Sequence, residues 1–272
     1  MRLKDRVAIV TGGGGGIGEG ICLSMGREGA HVVVSDQNQL MAEKVAGEIS
    51  KLGRKALAIQ TNVRMAKDCK DLIDLSLKEM GQIDILVCSA GIPGYSNKSI
   101  TEGMTRIENI SEDDWDSVIE TNLKGVFLCN RAIIPYFKER KKGKIINIAS
   151  IAGRRGSDWI PHYSASKAGV IIFSQVVATQ LARYNINVNT ICPGLVWTAM
   201  SITQGKILAA EYPQFRGMDP TEVFNENVRT RVLLGRPQTP ESIGNAAVFL
   251  ASDESQDITG QALNVDGGII FN

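Results

Sequence analysis

A run of glycines between a short apolar segment and a helical pattern limits most strongly how this chain can fold. Residues 7–10 are apolar and β-rich, residues 11–18 read Thr-Gly-Gly-Gly-Gly-Gly-Ile-Gly, and an apolar helical pattern follows through Ile21, Leu23 and Met25. Glycine lets the backbone approach a ligand closely, and a helix N-terminus presents unpaired N–H groups to an anion. The run therefore predicts a strand, a phosphate-binding turn and a helix in succession.

The spacing within the run is ambiguous. It fits G-x-G-x-x-G beginning at Gly13, and it fits T-G-x-x-x-G-x-G beginning at Thr11 equally well. A flexible loop is the alternative interpretation. Asp36 favours a nucleotide site, because it ends a predicted second strand 18 residues after Gly18, close to the ~20 residues expected for an acid that binds a ribose. A carboxylate there repels a 2′-phosphate, which predicts NAD, although aspartate after a strand is also a common helix cap.

Apolar segments alternate with helical patterns beyond this point. A helix over residues 39–52, a strand over 56–60, a helix over about 67–79 and a strand over 83–88 continue the rhythm. Such alternation predicts a parallel sheet covered on both faces, with ligands at the carboxyl ends of its strands. With 272 residues, of which 43% are hydrophobic, the chain can bury one large core. We expect a single doubly wound α/β (Rossmann) domain over residues 1–272, with a seven-stranded, mostly parallel sheet.

Tyr163 and Lys167 form the clearest candidate for a catalytic pair. They are four residues apart at the predicted start of a helix, so they share one face. Lowering a phenol from its ordinary pKa of ~10 to near neutrality requires about 4 kcal/mol, which a nearby ammonium can supply while burial opposes it. The pair is thus a candidate general acid and base, although an isolated Tyr-x-x-x-Lys is also common in ordinary amphipathic helices.

Charge and cysteine content restrict the partners. Lys and Arg number 30 against 29 Asp and Glu, so neither nucleic acid nor an anionic membrane surface is indicated, and a small molecule is the expected ligand. The five cysteines form no C-x-x-C pair, which favours buried thiols over disulfides or a metal site. The first residues resemble neither a signal peptide nor a membrane span. We expect a cytoplasmic protein without a metal.

Several motifs in register resemble one family. They are Thr11-Gly12-x-x-x-Gly16-Ile17-Gly18, Asn122, Ser150, Tyr163-x-x-x-Lys167, Pro193-Gly194 and the ending 258–268. Their order and spacing over nearly the whole chain are similar to those of the short-chain dehydrogenases/reductases. The resemblance implies an enzyme that moves a hydride between a nicotinamide and a carbon bearing a hydroxyl group.

The resemblance also implies a role for each catalytic residue. Tyr163 would exchange the hydroxyl proton, Lys167 would lower the phenol pKa and hold the nicotinamide ribose, and Ser150 would bind the substrate oxygen. Asn122 would hold a water that connects Lys167 to solvent. The implied cofactor-binding set is Gly12, Gly16, Ile17, Gly18, Asp36, Asn62, Val63, Ala90, Gly91, Tyr163, Lys167, Pro193, Gly194, Val196 and Thr198.

Two departures from the family pattern concern neighbouring loops. Asn62 replaces the usual aspartate, and its amide oxygen can still accept a hydrogen bond from an adenine amino group. Cys88-Ser89 replaces the usual pair of asparagines, which puts the bracing of the central sheet in doubt.

The substrate site is less clearly defined by the sequence. A segment at about 195–235 is longer than the family's usual connection and rich in apolar residues, so we expect it to cover the substrate. An ordinary helical insertion is the alternative. Candidate substrate residues are Ser150, Trp159, Arg155 and Trp197, and further polar wall groups are His162, Asn97 and Arg154. These groups suit a small polar secondary alcohol or polyol, or an anionic alcohol if Arg155 faces the site. Solvated arginines are the alternative.

Two other functions stay open, an NADPH-dependent 3-oxoacyl-thioester reductase and a protein that binds NAD without turnover. Asp36 argues against the first and the Ser150, Tyr163 and Lys167 set against the second. Residues 168–181 contain no charged side chain, and residues 126–134 are similarly apolar. A helix that is apolar on more than one stripe needs a second partner, so we expect a homo-oligomer, a tetramer by resemblance to the family.

Overall fold

Within the described part of the chain, seven strands form one sheet in the order β3-β2-β1-β4-β5-β6-β7, and every neighbouring pair is parallel. The structure is a computed structural model that describes residues 1–94, 106–156 and 160–272. The strands are β1 Val7–Thr11, β2 His31–Asp36, β3 Ala56–Gln60, β4 Ile85–Cys88, β5 Gly143–Ile148, β6 Ile186–Pro193 and β7 Ala262–Val265. The sheet expected from the alternating pattern is therefore confirmed.

Helices cover both faces of this sheet. Those in the described ranges are α1 Gly16–Arg27, α2 Gln39–Lys51, α3 Ala66–Met80, α4 Glu112–Ile119, α5 Gly125–Arg140, α6 Pro161–Leu181, α7 Ala199–Glu211, α8 Pro220–Arg231 and α9 Pro240–Ala251. A π-helical turn, Glu120–Lys124, joins α4 to α5. This turn divides the helical segment between Glu112 and Arg140 into α4 and α5.

The strands bury both faces because their side chains alternate between two cores. Val32 and Val34 of β2 pack into one core with α1, α2 and α9, whereas Val33 packs into the other core with α3, α5 and α6. Continuous apolar runs are typical of parallel strands covered on both sides. All five cysteines are buried in these two cores, as their apolar surroundings predicted.

The chain changes direction within the sheet between β1 and β4. From β1 it proceeds outward through β2 and β3, and it then returns to place β4 on the opposite side of β1. The loops after β1 and β4 therefore separate and leave a crevice at the carboxyl edge, where ligands bind in sheets of this kind.

A buried polar network connects α5, β5 and α6 beneath this edge. Asn130 Nδ2 donates to Asn147 Oδ1 at 3.1 Å, and Asn147 Nδ2 donates to Ser174 Oγ at 2.9 Å. All three side chains are buried. Asn130 Nδ2 also lies 3.5 Å from Cys88 Sγ, so the central strands are braced although the usual asparagine pair is replaced.

The helix that carries Tyr163 and Lys167 is unusually apolar. Among the described residues, the stretch Pro161–Tyr184 is long and apolar enough to cross a membrane by length and composition alone. In this fold the same helix packs against β5 and β6 and contributes Val170, Ile171 and Val177 to a core. Core helices of this kind meet the same criterion, so it is weak evidence for a span.

Candidate active site

The loops that leave the sheet at its carboxyl edge surround a crevice of about 1080 Å³. All residues of the expected cofactor set line it: Gly12, Gly16, Ile17, Gly18, Asp36, Asn62, Val63, Ala90, Gly91, Tyr163, Lys167, Pro193, Gly194, Val196 and Thr198. They come from the ends of five different strands and the starts of two helices. The fold thus brings residues that are distant in sequence to one opening.

The glycine turn forms one wall of the crevice. Gly12 and Gly16 have positive φ, at 65° and 54°, and a Cβ on Gly18 would lie 1.9 Å from the Gly12 carbonyl oxygen. Only glycine fits these positions, and the spacing Gly12, Gly16, Gly18 therefore describes the turn. The turn ends directly at the N-terminus of α1, whose N–H groups can hold a pyrophosphate. The residues present fit a dinucleotide.

Asp36 is held against this turn. Its Oδ2 accepts a hydrogen bond from Gly14 N at 3.0 Å, and its Oδ1 accepts one from Asn38 N at 3.0 Å. Arg64 also lines the crevice, but its guanidinium pairs with Glu120, with Nε 2.8 Å from Oε2. The carboxylate of Asp36 is thus oriented by the backbone, and the cation that follows Asn62 and Val63 already has an anionic partner.

Further loops complete the opposite wall. Asn62 Oδ1 accepts from Arg64 N at 3.1 Å, which leaves one carbonyl lone pair for a ligand. A Cβ on Gly194 would lie 2.6 Å from Asp266 Cα, so glycine is required after Pro193. Thr198 caps α7 together with Ser201. A Cβ on Gly16 would lie 3.5 Å from Thr198 Cγ2, which shows that this segment faces the glycine turn.

Tyr163, Lys167 and Ser150 meet in the crevice. Lys167 Nζ lies 5.6 Å from the centre of the Tyr163 ring and donates to the Ile148 carbonyl at 2.9 Å. Ser150 ends the loop after β5, where its Oγ accepts from Ala152 N at 3.1 Å, and its hydroxyl also pairs with the Tyr163 phenol. Because α6 begins at Pro161, the phenol lies in its first turn and points toward the strand ends.

Burial governs the charge of this pair in the protein alone. It raises the pKa of Tyr163, and the hydrogen bond from Ser150 only partly offsets this. It also lowers the pKa of Lys167 from 10.5 to about 8. The low-polarity surroundings thus disfavour both charged forms, and the expected lowering of the phenol pKa by Lys167 stays a prediction.

Asn122 lies behind the crevice wall in the π-helical turn. Its side chain is fully buried, its Oδ1 accepts from Ile92 N at 2.8 Å, and its Nδ2 donates to the Ile92 carbonyl at 2.9 Å. Nδ2 also donates to Ser166 Oγ at 3.2 Å. The side chain thus holds the loop that contains Gly91, where a Cβ would lie 3.4 Å from Lys167 Nζ. Its expected water-holding role stays a prediction.

The structure places only some of the expected substrate residues in the crevice. Ser150 and Arg155 line the crevice, whereas Trp197 does not, because its ring packs edge-on against Phe224 at 4.8 Å between centroids. Trp159 and Asn97 lie outside the described residues.

Two proposed polar wall groups point elsewhere. His162 is fully buried, and its Nε2 donates to the Gly94 carbonyl at 2.8 Å. The Arg154 guanidinium donates to the carbonyl of Ala262. The expectation that these two side chains form the substrate wall is wrong, since both are engaged by backbone carbonyls away from the crevice.

Other lining residues were missed. Gln204 of α7, Arg231 of α8 and the C-terminal pair Ile269 and Ile270 all face the crevice. The tail returns to it because Gly267 and Gly268 have positive φ and Asp266 accepts from Ile270 N at 2.8 Å. The Asp-Gly-Gly sequence could have indicated this turn, whereas nothing in the pattern of α8 distinguishes Arg231 from its exposed neighbours.

Comparisons with known proteins agree on one family. The sequence model described as short chain dehydrogenase matches residues 6–207. The chain is 34% identical over 271 residues to the 3-oxoacyl-(acyl-carrier-protein) reductase FabG of Thermotoga maritima, with 100% of both chains covered. It is 35% identical over 271 residues to the cyclopentanol dehydrogenase of Comamonas sp. (strain NCIMB 9872), covering 100% of this chain and 99% of the relative. A crystal structure of an NAD⁺-bound xylitol dehydrogenase is similar at 28% identity with a TM-score of 0.90, covering 98% of this chain and 100% of that one.

Proposed function

The chain belongs to the short-chain dehydrogenase/reductase family, and from that premise we propose that it interconverts a small secondary alcohol or polyol and its ketone with NAD(H). Family membership makes it an oxidoreductase that acts on a CH–OH group with a nicotinamide cofactor. The observation that carries the finer proposal is the meeting of Tyr163, Ser150 and Lys167 in the crevice that the glycine turn opens.

The chain's own residues perform the proton chemistry. The nicotinamide, when bound, supplies the hydride donor or acceptor. Ser150 donates a hydrogen bond to the substrate oxygen, and the ionised Tyr163 accepts the alcohol proton during oxidation and returns it during reduction. Lys167, below its pKa of about 8, carries the positive charge that stabilises the phenolate. Placement of the three groups supplies a further part of the rate.

We propose NAD rather than NADP as the cofactor because of Asp36. Its carboxylate is oriented by Gly14 N and Asn38 N, and Gln37, which also lines the crevice, brings no positive charge. Arg64 is neutralised by Glu120. The test compares kcat/KM with NAD and with NADP. Equal or better efficiency with NADP would remove this part of the proposal.

A second candidate is reduction of 3-oxoacyl thioesters, which the relatives named as 3-oxoacyl-(acyl-carrier-protein) reductases favour. A panel that contains neutral diols, polyols, hydroxy acids and hydroxyacyl thioesters separates the two. Turnover confined to thioesters would replace the small-alcohol proposal, whereas turnover of small alcohols would support it.

The segment after β6 is proposed as the substrate cover of a single domain over residues 1–272. Met200 and Gln204 of α7 and Phe224 of α8 line the crevice, and a Cβ on Gly205 would lie 2.7 Å from Pro220 Cα, so the two helices are tightly joined. A site covered on one side in this way favours a substrate small enough to fit beneath the two helices. Shortening the segment at Gly217 should leave the protein folded and raise KM for the substrate.

We also propose a cytoplasmic homotetramer. Phe127 of α5 and Ile172 and Val176 of α6 are 40%, 60% and 51% exposed, although their neighbours on the same helices pack into the core. Exposed apolar side chains on adjacent helices are typical of an interface between copies. Reduced, buried thiols fit a cytoplasmic location.

The direct test of the proposed chemistry is Tyr163→Phe. This variant retains the ring and its packing but cannot exchange the proton, so turnover should fall while NADH binding is kept. Retention of activity within tenfold of the unmodified enzyme would remove Tyr163 from the mechanism.

A further inference from the structure

The substrate end of the crevice carries two arginines from different elements. Arg155 lies on the loop after Ser150, five residues beyond it, and Arg231 is the last residue of α8. Both line the same crevice as Ser150 and Tyr163. The loop that leads to the catalytic helix and the helix that covers the substrate thus each contribute one guanidinium.

Neither guanidinium has an acidic partner among the described residues, whereas seven other arginines of the fold have one. Ion pairs join Arg2 to Glu28, Arg6 to Asp253, Arg27 to Glu241, Arg54 to Asp5, Arg64 to Glu120, Arg140 to Asp84 and Arg229 to Glu226. Arg229 is two residues from Arg231 on the same helix, and its Nε lies 2.8 Å from Glu226 Oε2. Of the three arginines among the described lining residues, Arg64 is paired with Glu120, whereas Arg155 and Arg231 have no carboxylate partner in the described part of the chain.

The two positive charges are close enough to affect each other. Partial burial and the charge of Arg155 lower the pKa of Arg231, although both residues remain exposed at the surface of the crevice. A guanidinium still keeps its proton at neutral pH, so the fold holds two like charges near each other. An anion placed between them removes this repulsion, and guanidinium groups bind carboxylate, phosphate and sulfonate oxygens through paired N–H donors.

Among the described residues, no acidic group lines this end of the crevice. Asp36 is the single carboxylate among the described lining residues, and it is held at the glycine turn by Gly14 N. Close to the substrate, Lys167 adds a third positive charge below its pKa of about 8. Apolar side chains, namely Met200, Phe224 and Ile270, complete the wall and suit a short carbon skeleton.

We propose that Arg155 and Arg231 form an anion subsite, so that the substrate is a short secondary alcohol, or its ketone, that carries a carboxylate, phosphate or sulfonate group. This inference rests on the proposed function and narrows its substrate class. The anionic group binds between the two guanidinium groups, and the reacting hydroxyl lies at Ser150 and Tyr163. The two arginines are thus specificity-determining residues and take no part in proton transfer.

The experiment compares alcohols that share a skeleton and differ in charge. Butane-1,3-diol and 3-hydroxybutanoate have four carbons and a hydroxyl at the same carbon, and propane-1,2-diol is compared with its 1-phosphate and with 2-hydroxypropane-1-sulfonate. The anionic member of at least one pair should show the higher kcat/KM. Arg155→Gln and Arg231→Gln should each lower that value roughly tenfold to a hundredfold, as expected for a charged hydrogen bond, and change the value for the neutral diol less than twofold.

Arg229→Gln is the matched control, because it removes a positive charge from the same helix outside the crevice. This variant should leave kcat/KM unchanged for both the anionic and the neutral alcohols. The cofactor pyrophosphate is another source of oxyanions, so the dissociation constant of NADH is measured for each variant. An equal loss of NADH affinity and of activity with the diol would assign the arginines to the cofactor and overturn the proposed substrate subsite.

A binding measurement separates this inference from the proposed reaction. Calorimetric titration of 3-hydroxybutanoate, the phosphate and the sulfonate into the protein–NADH complex needs no turnover. Binding that is lost in both Gln variants and kept in Arg229→Gln supports the subsite, even if no alcohol is oxidised. The absence of oxidation would refute the proposed reaction and not the subsite. If the enzyme turns over the neutral diols equally well in the Gln variants and prefers no anionic alcohol, the subsite is refuted and the proposed reaction is not.

Discussion

Replacing Lys167 by methionine should stabilise the protein at neutral pH while removing its activity. Lys167 is 4% exposed, and burial lowers its pKa from 10.5 to about 8. The folded protein therefore disfavours the charged lysine that its proposed chemistry requires. Methionine has a similar length and no charge, so the variant removes this unfavourable contribution and fills most of the same space.

The magnitude follows from the pKa difference. One pKa unit corresponds to 1.36 kcal/mol, so a lowering of this size destabilises the folded protein by about 3 kcal/mol when the lysine is protonated in both states. Loss of the hydrogen bond from Nζ to the Ile148 carbonyl destabilises the variant by about 1 kcal/mol. The free energy of unfolding of Lys167→Met should therefore exceed that of the unmodified protein by about 2 kcal/mol at pH 7.

The pH dependence has a definite sign. Below pH 8 the lysine is protonated in the folded and unfolded states, and the full destabilisation is present. Between about pH 8 and 10.5 the folded state loses the proton and the unfolded state keeps it, so the stability of the unmodified protein rises with pH. The advantage of Lys167→Met should therefore shrink across this window.

Urea unfolding of both proteins at equal concentration, at pH 7.0 and at pH 9.5, measures this difference. Subtracting the free energy of unfolding of one protein from that of the other removes the contribution of groups that titrate in both. Lys144→Met is a suitable control, because Lys144 is also buried with a lowered pKa but lies outside the crevice, where its Nζ is 3.5 Å from Ser255 Oγ. That variant should remain active. A stability difference for Lys167→Met that does not change with pH would refute the reasoning.

Four further outcomes are expected. Tyr163→Phe should lower kcat roughly 10² to 10⁴-fold and leave the dissociation constant of NADH within about twofold, measured by fluorescence titration. Asp36→Asn should narrow the ratio of kcat/KM between NAD and NADP by at least about tenfold, because it removes a like charge from the 2′-phosphate, and an unchanged ratio would contradict this. Asn147→Leu should lower the free energy of unfolding by about 1 to 3 kcal/mol, since Asn130 and Ser174 lose buried partners, whereas a change within 0.5 kcal/mol (roughly the scatter of surface substitutions) would argue against the network. Ile172→Lys should yield a smaller folded assembly in light scattering, and an unmodified protein that is already monomeric would remove the proposed interface.

The sheet was predictable because parallel strands carry a strong and repeated signal. Apolar runs such as residues 31–35 are bounded by glycine or polar residues, and alternation with helical patterns leaves few topologies. The crevice followed from that topology, since the carboxyl ends of parallel strands meet at one edge. For this reason Asp36, Asn62, Ser150 and Gly194 could all be assigned to one opening before any distance was known.

Side-chain direction was not predictable in the same way. Trp197 follows a crevice residue in sequence, but its ring turns to Phe224, and the choice depends on how α8 packs. His162 adjoins Tyr163, yet in a helix consecutive residues face different directions, and it reaches Gly94 instead. The π-helical turn at Glu120–Lys124 contains Asn122, which binds both backbone groups of Ile92, a contact between segments about 30 residues apart that a local sequence pattern does not encode.

The pKa values of the ionisable groups in the crevice also depend on their three-dimensional surroundings, which a sequence pattern does not encode. Burial raises the pKa of Tyr163, lowers that of Lys167, and with Arg155 lowers that of Arg231. In each case the surroundings in the folded protein disfavour the charged form of the side chain. A nearby opposite charge would favour it: the phenolate and the ammonium stabilise each other, and a substrate anion would stabilise both guanidinium groups. An interaction with a buried charge is also stronger than the same interaction in water. The crevice therefore disfavours the charged forms of Tyr163 and Lys167, and we expect this cost to stability to be offset when Tyr163 ionises beside Lys167.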